Sequence, residues 1–229
     1  MSAAAASPHV VDLKLMPFGL HDTPDELRRA LQEEIDSTEE GRFEYLALGY
    51  GLCSRGTAGL RAGSAPLVIP RAHDCITLLL GSRSRYKEEF SRHPGTYYYS
   101  PGWIERKTGE VKQANIDDAY ARQTEDRYRQ YVEKYGEDNA KFLIEQESLW
   151  VNNYTRAALI DTGVGDVESY RRFTRGVAES RGWDYVELEG DTSLLNKLAR
   201  GVWNPAEFLV VRPGRQVAES FDETILREG

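Results

Sequence analysis

The residues best suited to chemistry in this sequence are its two cysteines and one histidine beside the second of them. Cys53 follows the apolar segment 45–50, and Cys75 closes the run Arg71-Ala72-His73-Asp74-Cys75, which follows the apolar segment 66–70. Parallel strands present their carboxyl ends on one rim of a sheet, and open α/β sheets bind their ligands there. If the two segments are neighbouring strands, both thiols and the imidazole of His73 meet on that rim.

Sulfur and imidazole are the ligands that zinc prefers, and iron and cobalt accept the same set. Side chains two residues apart in an extended segment share a face, so His73 and Cys75 could bind one ion together with Cys53. A fourth position left to water or substrate would make the site catalytic. Asp74 would orient His73 or enter the ligand set, and His21 is a further candidate ligand. We therefore predict a transition-metal site, zinc being the first choice.

Two other interpretations of the same residues remain open. The cysteines could be buried free thiols that pack as small apolar groups, with His73 capping the helix that follows. Alternatively, a cysteine at the start of that helix would have a lowered pKa, which favours direct thiol catalysis. Cys53 and Cys75 would then act as acid and base across a substrate, as the thiols of two-cysteine racemases do.

Residues around the thiols suggest an anionic small-molecule substrate. The loop 51–63 is rich in glycine, and the amides near Gly56 and Gly59 could bind an anion, although tight turns use the same residues. A guanidinium fork suits carboxylate or phosphate, so Arg55 and Arg71 are candidate clamps, ordinary surface ion pairs being the alternative. With Asp74, these arginines complete the predicted catalytic set.

An aromatic segment supplies a candidate pocket wall. Tyr98 lies in the run 97–99, and Trp103 follows shortly after it. These rings could line a pocket for a flat or cationic ligand. A strand with one buried face would carry the same aromatic residues.

Strand and helix patterns alternate along the chain. Helices are predicted at 24–35, capped by Thr23, at 76–90, at 167–180 and at 193–198, with two long charged helices between 117 and 151 broken near 135–138. Strands are predicted at 10–16, 45–50, 66–70, 96–100, 157–161, 185–188 and 208–211. This order predicts an α/β fold of two Rossmann-like parallel-sheet lobes, joined by long helices, with a ligand cleft at the strand carboxyl ends.

The domain boundaries follow from the same pattern. We predict an N-terminal segment 1–9, a first lobe 10–112 with the cysteine and histidine site, connecting helices 113–153, a second lobe 154–215 and a tail 216–229. The connecting helices would also suit a homo-oligomer interface.

Composition limits the classes of partner. The 229 residues carry 29 basic and 37 acidic side chains, a net charge of −8, which disfavours nucleic acid and anionic membrane surfaces. No apolar run is long enough for a transmembrane helix or a signal peptide, so we expect a cytoplasmic protein. In a reducing compartment, two cysteines are more often free, catalytic or metal-bound than joined in a disulfide.

Several motifs together resemble one family. They are Gly49-Tyr50-Gly51-Leu52-Cys53 with Gly56 and Gly59, Leu67 to Ile76, Leu80-Gly81-Ser82 with Tyr86, Pro94 to Tyr98, and Gly102-Trp103-Ile104-Glu105. The similarity to the bacterial and archaeal domain of unknown function family 1638 runs over most of residues 10–215 and is densest from 45 to 105.

Proteins of that family are often encountered beside corrinoid-dependent methyltransferase systems. The resemblance implies a link to one-carbon metabolism, with methyltransferase components as partners and a corrinoid as a further cofactor. Combined with the thiols, it suggests a metal-dependent transferase or accessory protein, or a non-catalytic corrinoid or small-ligand binder in which His73 is an axial ligand.

Overall fold

The computed structural model describes the backbone of residues 2–17, 19–20, 23–108, 116–151 and 153–229, and the side chains of these residues except 106–108, 116–124, 126 and 147–151. The chain divides into two compact units. The first combines Met1–Glu88 with Gly190–Gly229, and the second is Glu89–Glu189. The first unit is therefore built from both ends of the chain, whereas the second is continuous.

The described helices are α1 (Ser2–Ala5), α2 (Pro24–Asp36), α3 (Cys75–Leu79), α4 (Arg83–Arg92), α5 (Pro101–Thr108), α6 (Ile116–Tyr135), α7 (Glu137–Val151), α8 (Val167–Arg181) and α9 (Ser193–Ala199). The described strands are β1 (Leu46–Ala47), β2 (Leu67–Pro70), β3 (Thr96–Tyr99), β4 (Arg156–Asp161), β5 (Asp184–Glu189), β6 (Phe208–Val211), β7 (Val217–Glu219) and β8 (Leu226–Glu228). Among the helices in the described residues, none combines the length and apolar character that crossing a membrane needs.

The first unit is organised around β2, whose four residues are all buried. The strand order is β1-β2-β6, with β1 parallel and β6 antiparallel to β2. Leu67 and Ile69 pack on one face with the buried stripe of α2, while Val68 packs on the other face with residues of α3 and α9. Burial on both faces explains why β2 is a continuous apolar run in the sequence. A small antiparallel pair, β7 and β8, completes this unit.

The second unit holds a parallel sheet in the order β3-β4-β5. Its central strand β4 is buried over five of its six residues. Helix α8 is capped at its start by Asp166 and ends at Gly182, which adopts the left-handed conformation (φ 66°). The side chains of α8 that pack on the sheet include Phe173 and Val177. The α/β class predicted from the sequence is confirmed in this coarser form.

Some predicted elements differ from the structure. Residues 10–16 were expected to form a strand, but no strand forms over this described segment. Alternating apolar residues favour the extended conformation, but a strand also needs a partner, and residues 10–16 pair with none of the described strands. The predicted helix 76–90 is two helices, because Gly81 at φ +79° interrupts it between α3 and α4.

Strand pairing also differs from the order along the chain. β3, predicted at the end of the first lobe, pairs with β4, and β6, predicted in the second lobe, pairs with β2. The antiparallel pairing of β6 means that the first sheet is mixed rather than parallel. Local patterns identify each strand but carry no information about which distant strand it joins.

Candidate functional site

The two segments that carry the thiols are hydrogen-bonded to each other beyond the ends of β1 and β2. The backbone N–H of Leu52 donates to the carbonyl of Ala72 at 2.7 Å, and that of Cys53 donates to the carbonyl of His73 at 2.8 Å. These bonds keep the parallel register of β1 with β2. The backbones of Cys53 and His73 are therefore neighbours on one rim.

Gly51 permits this close approach. A Cβ added at position 51 would lie 2.6 Å from the carbonyl oxygen of Ala72 and 3.1 Å from its Cβ. The buried hydroxyl of Thr57 donates to the carbonyl of Gly51 at 2.9 Å. This bond holds the peptide between Gly51 and Leu52 in place. The small residue is needed because another backbone occupies the space of its side chain.

Cys53 begins an unusual turn. Three successive non-glycine residues, Cys53, Ser54 and Arg55, have φ values of 47°, 54° and 71°, in the left-handed region. The turn is closed by a bond from the N–H of Gly56 to the carbonyl of Cys53 at 2.9 Å. Each such residue costs about 1–2 kcal/mol relative to the right-handed conformation. Strain of this kind persists only where the surrounding structure enforces it, and it concentrates at functional sites.

Asp74 organises the second segment. Its Oδ1 accepts hydrogen bonds from the backbone N–H groups of Ile76 at 3.0 Å and Thr77 at 3.3 Å, so Asp74, and not His73, caps α3. A hydrogen bond with Tyr86 is a further contact of this carboxyl. Burial raises the pKa of Asp74, although these hydrogen bonds and the nearby His73 act in the opposite direction. The carboxylate thus fixes the backbone between His73 and Cys75.

Both thiols are disposed to stay protonated. Burial raises the pKa of Cys53 to about 11; a backbone hydrogen bond with Gly51 opposes this, and the Asp74 carboxylate adds to it. Cys75 touches solvent on one side but is enclosed by protein elsewhere, and this enclosure, with Asp74 and Cys53, raises its pKa to about 12. Burial and the neighbouring Asp74 thus act against the lowered pKa that the helix start was expected to give Cys75, and direct thiol catalysis stays a prediction. Helix α3 has only five residues, and burial is the largest cause of the raised pKa of Cys75.

Tyr50 belongs to the same cluster and was not identified from the sequence. Burial raises the pKa of its hydroxyl, and repulsion from a Cys53 thiolate would raise it further. Burial thus raises the pKa of four neighbouring groups and disfavours their ionisation: Tyr50, Cys53, Asp74 and Cys75. The position of Tyr50 three residues before Cys53 is the only sequence signal that could have drawn attention to it.

The side chains, as oriented, do not form a ready-made metal centre. In the part of the chain that the structure describes, no three His, Cys, Asp or Glu side chains group closely enough to hold an ion. His73 and Cys75 are exposed, so their side chains can rotate, while the backbone bonds hold Cys53 beside them. His21, the further candidate ligand, lies outside the described residues.

The two arginines predicted as an anion clamp differ in their contacts. Arg71 donates from Nε to the carbonyls of Pro205 at 2.8 Å and Phe208 at 3.3 Å, and from Nη1 to those of Thr224 at 3.1 Å and Leu226. These bonds tie Arg71 to the C-terminal backbone, which gives it a structural role. Arg55 is 70% exposed and pairs with Glu219 at 3.1 Å, so its guanidinium is the more accessible one.

The loop glycines have packing explanations of their own. A Cβ at Gly56 would lie 2.7 Å from Cδ2 of Leu27, and Gly59 has a φ of +89° with its N–H bonded to the carbonyl of Val217 at 2.7 Å. These contacts account for glycine at both positions. Their predicted role in binding an anion or cofactor stays a prediction.

Tyr98 and Trp103 belong to the second unit. Trp103 lies on α5 and packs edge-on against Tyr97 and Tyr99, with ring centroids 5.8 and 4.9 Å apart. Tyr98 projects to the opposite face of β3, because side chains alternate along a strand. The aromatic set therefore divides between two faces, and Trp103 joins the core of the unit, as the buried-strand interpretation expects.

Comparison with models of protein families identifies a family for this chain. A family model described as a protein of unknown function (DUF1638) matches residues 15–199. The matched range includes Cys53, His73, Asp74 and Cys75. Neither a curated protein nor a solved structure matches the chain.

Proposed function

Since this chain belongs to the DUF1638 family, whose description assigns no activity, we propose its function from the rim formed by residues 50–55 and 73–75. We propose that Cys53, His73 and Cys75 bind a transition-metal ion, zinc in the first place, in a small-molecule enzyme or accessory protein of corrinoid-linked one-carbon metabolism. A cytoplasmic location and an anionic substrate are part of this proposal. So is the interpretation of the two units as Rossmann-like lobes.

The observation that carries the proposal is the bond from the N–H of Cys53 to the carbonyl of His73 at 2.8 Å. It holds a thiol-bearing turn beside a segment that carries an imidazole and a second thiol. Two thiolates and one imidazole are a three-ligand set of the kind that leaves a fourth position open. The strained conformation of Cys53 further supports a role beyond packing.

Binding would require the exposed side chains of His73 and Cys75 to turn towards Cys53. The bound ion would supply a Lewis acid or an activated thiolate. Asp74 would keep the ligand-bearing backbone in place through its cap on α3. Arg55, exposed beside the turn, would attract the anionic substrate.

Elemental analysis of the purified protein, before and after incubation with zinc, iron or cobalt salts, tests the metal. We expect about one ion per chain, and loss of most of it in Cys53→Ser, Cys75→Ser and His73→Gln. His93→Gln is the matched control, because His93 is an exposed histidine of the other unit. Substoichiometric metal in the wild type, or unchanged content in the cysteine variants, would contradict the proposal.

The two alternatives make different demands. A metal-free two-cysteine racemase or lyase needs one thiolate near neutral pH, which the raised pKa values of Cys53 and Cys75 disfavour. A corrinoid binder needs only an accessible axial ligand, and His73 is exposed. Visible absorbance that copurifies with the protein, and that His73→Gln removes, would favour the binder.

A further inference from the structure

Residues 10–16 expose several apolar side chains, which folded proteins more often bury. Val10 is fully exposed, Leu15 is 70% exposed, Leu13 47% and Val11 39%. An apolar side chain exposed singly needs no explanation, but three at alternate positions, Val11, Leu13 and Leu15, share one face of an extended segment and make an apolar patch there. Such a patch is typical of a surface that meets a partner.

The backbone of this segment is also available. Within the described residues, no backbone hydrogen bond involves residues 10–17. The segment is nevertheless anchored at both ends: the Ser7 hydroxyl donates to the carbonyl of Ala199 at 2.7 Å, and Met16 packs against the core. An alternating, β-branched sequence with free N–H and C=O groups is a template for pairing with another strand.

The charges of the segment indicate which partner it fits. If two copies pair antiparallel about Leu13, Asp12 of one copy faces Lys14 of the other, and this opposite-charge pair occurs twice. The same register places Val11 opposite Leu15 and Val10 opposite Met16. Opposite charges and apolar pairs directly across an antiparallel ladder both stabilise it. The segment is thus complementary to itself.

We propose that residues 10–16 form an antiparallel two-stranded ladder with the same residues of a second copy, centred on Leu13. A strand of seven residues gives a small interface, so the dimer is of the weak, concentration-dependent class. The contact is isologous, so it closes at two copies. It covers the patch that the single chain exposes.

Cysteine crosslinking tests the register. In the dimer, position 13 faces itself, so Leu13→Cys should form an intermolecular disulfide under mild oxidation. Leu15→Cys is the matched control, because the two copies of position 15 would be about 13 Å apart along the ladder, beyond disulfide reach. Wild type, with Cys53 and Cys75 present, gives the background. Equal crosslinking of the two variants would overturn the proposal, as would a strictly monomeric wild type in sedimentation at high concentration.

A charge swap separates this pairing from contacts within one chain. Asp12 also pairs with Arg42 at 3.4 Å, and Lys14 with Glu34. Asp12→Lys and Lys14→Asp should each weaken dimerisation at least about fivefold, whereas the double variant should regain the wild-type dissociation constant. Glu34→Gln should leave dimerisation unchanged. Absence of rescue in the double variant would contradict the self-complementary register.

Discussion

Gly51→Ala is the most direct test of how the site is built. The added methyl carbon would lie 2.6 Å from the carbonyl oxygen of Ala72, whereas ordinary contact begins at 3.4 Å. To relieve this overlap, the segment of Gly51 and the segment of Ala72 must move apart by about 0.8 Å, the difference between these two distances. The hydrogen bonds donated by Leu52 and Cys53 would then stretch from 2.7 and 2.8 Å to about 3.5 Å, the limit for such bonds.

The expected loss of stability follows from three contributions. Overpacking costs about 1–3 kcal/mol. Two weakened backbone bonds cost about 1 kcal/mol each when lost completely. Replacing glycine stabilises by about 0.4–1 kcal/mol through the unfolded chain. From these contributions we expect Gly51→Ala to lower the free energy of unfolding by about 2–4 kcal/mol, and to weaken metal binding because Cys53 moves away from His73.

Gly49→Ala is the matched control. Gly49 lies two residues earlier in the same segment, and nothing lies within 4 Å of an added Cβ there. This variant should be as stable as wild type or slightly more stable. Urea unfolding measures the difference, and hydrogen exchange at the amides of Leu52 and Cys53 reports the two bonds directly. If Gly51→Ala matches Gly49→Ala in both measurements, the close approach does not hold the rim together.

Three further predictions concern single side chains. Burial and Asp74 raise the folded-state pKa of Cys53 from 9.0 to about 11, so the unfolded chain loses this proton at a lower pH than the folded chain. The free energy of unfolding should therefore fall between pH 9 and 11, by about 2 kcal/mol more in wild type than in Cys53→Ala. Urea unfolding at each pH measures this difference. Glu89→Gln should cost about 2–3 kcal/mol, because the largely buried Arg156, 2.8 Å away, loses its ion pair. Glu137→Gln, in an exposed pair, should leave the stability close to that of wild type. Arg71→Lys cannot satisfy the carbonyls that the guanidinium bonds, so limited proteolysis should cleave the C-terminal 20 or so residues faster than in wild type.

Each of these predictions has a result that would contradict it. Equal pH profiles for wild type and Cys53→Ala would mean that the thiol is not held protonated by its surroundings. Equal costs for the two glutamate variants would mean that burial adds nothing to the Arg156 pair. Unchanged proteolysis of Arg71→Lys would leave that residue available as an anion clamp.

The sequence predicts elements better than it predicts their neighbours. The apolar runs of β2 and β4 and the helix beginning at Pro24 are local signals, and each is confirmed. The pairing of β6 with β2 is not local, since about 140 residues separate them. Residues 10–16 show the same limit of local sequence patterns. Their apolar side chains alternate as in a strand, but within the described residues no second strand pairs with them.

At the candidate site, the positions of Cys53 and His73 at the ends of two neighbouring strands could be predicted, because parallel pairing fixes which rim they share. The protonation of the thiols could not. It depends on how deeply the folded chain buries each thiol and on the nearby carboxylate of Asp74, and neither is marked by a local sequence pattern. The contacts of Arg71 could not be predicted from the sequence either. Its partners are backbone carbonyls, and the side-chain pattern of a sequence does not indicate which carbonyls are free to accept.

The division of the first unit between both ends of the chain has a consequence for biosynthesis. The second unit, Glu89–Glu189, is continuous and can fold while the ribosome is still translating the remaining residues. Strand β2, by contrast, must wait for β6 and for the carbonyls of Thr224 and Leu226 that Arg71 binds. The thiol-bearing rim should therefore mature last, and a nascent chain stalled before residue 208 should expose the apolar strand β2 to chaperones.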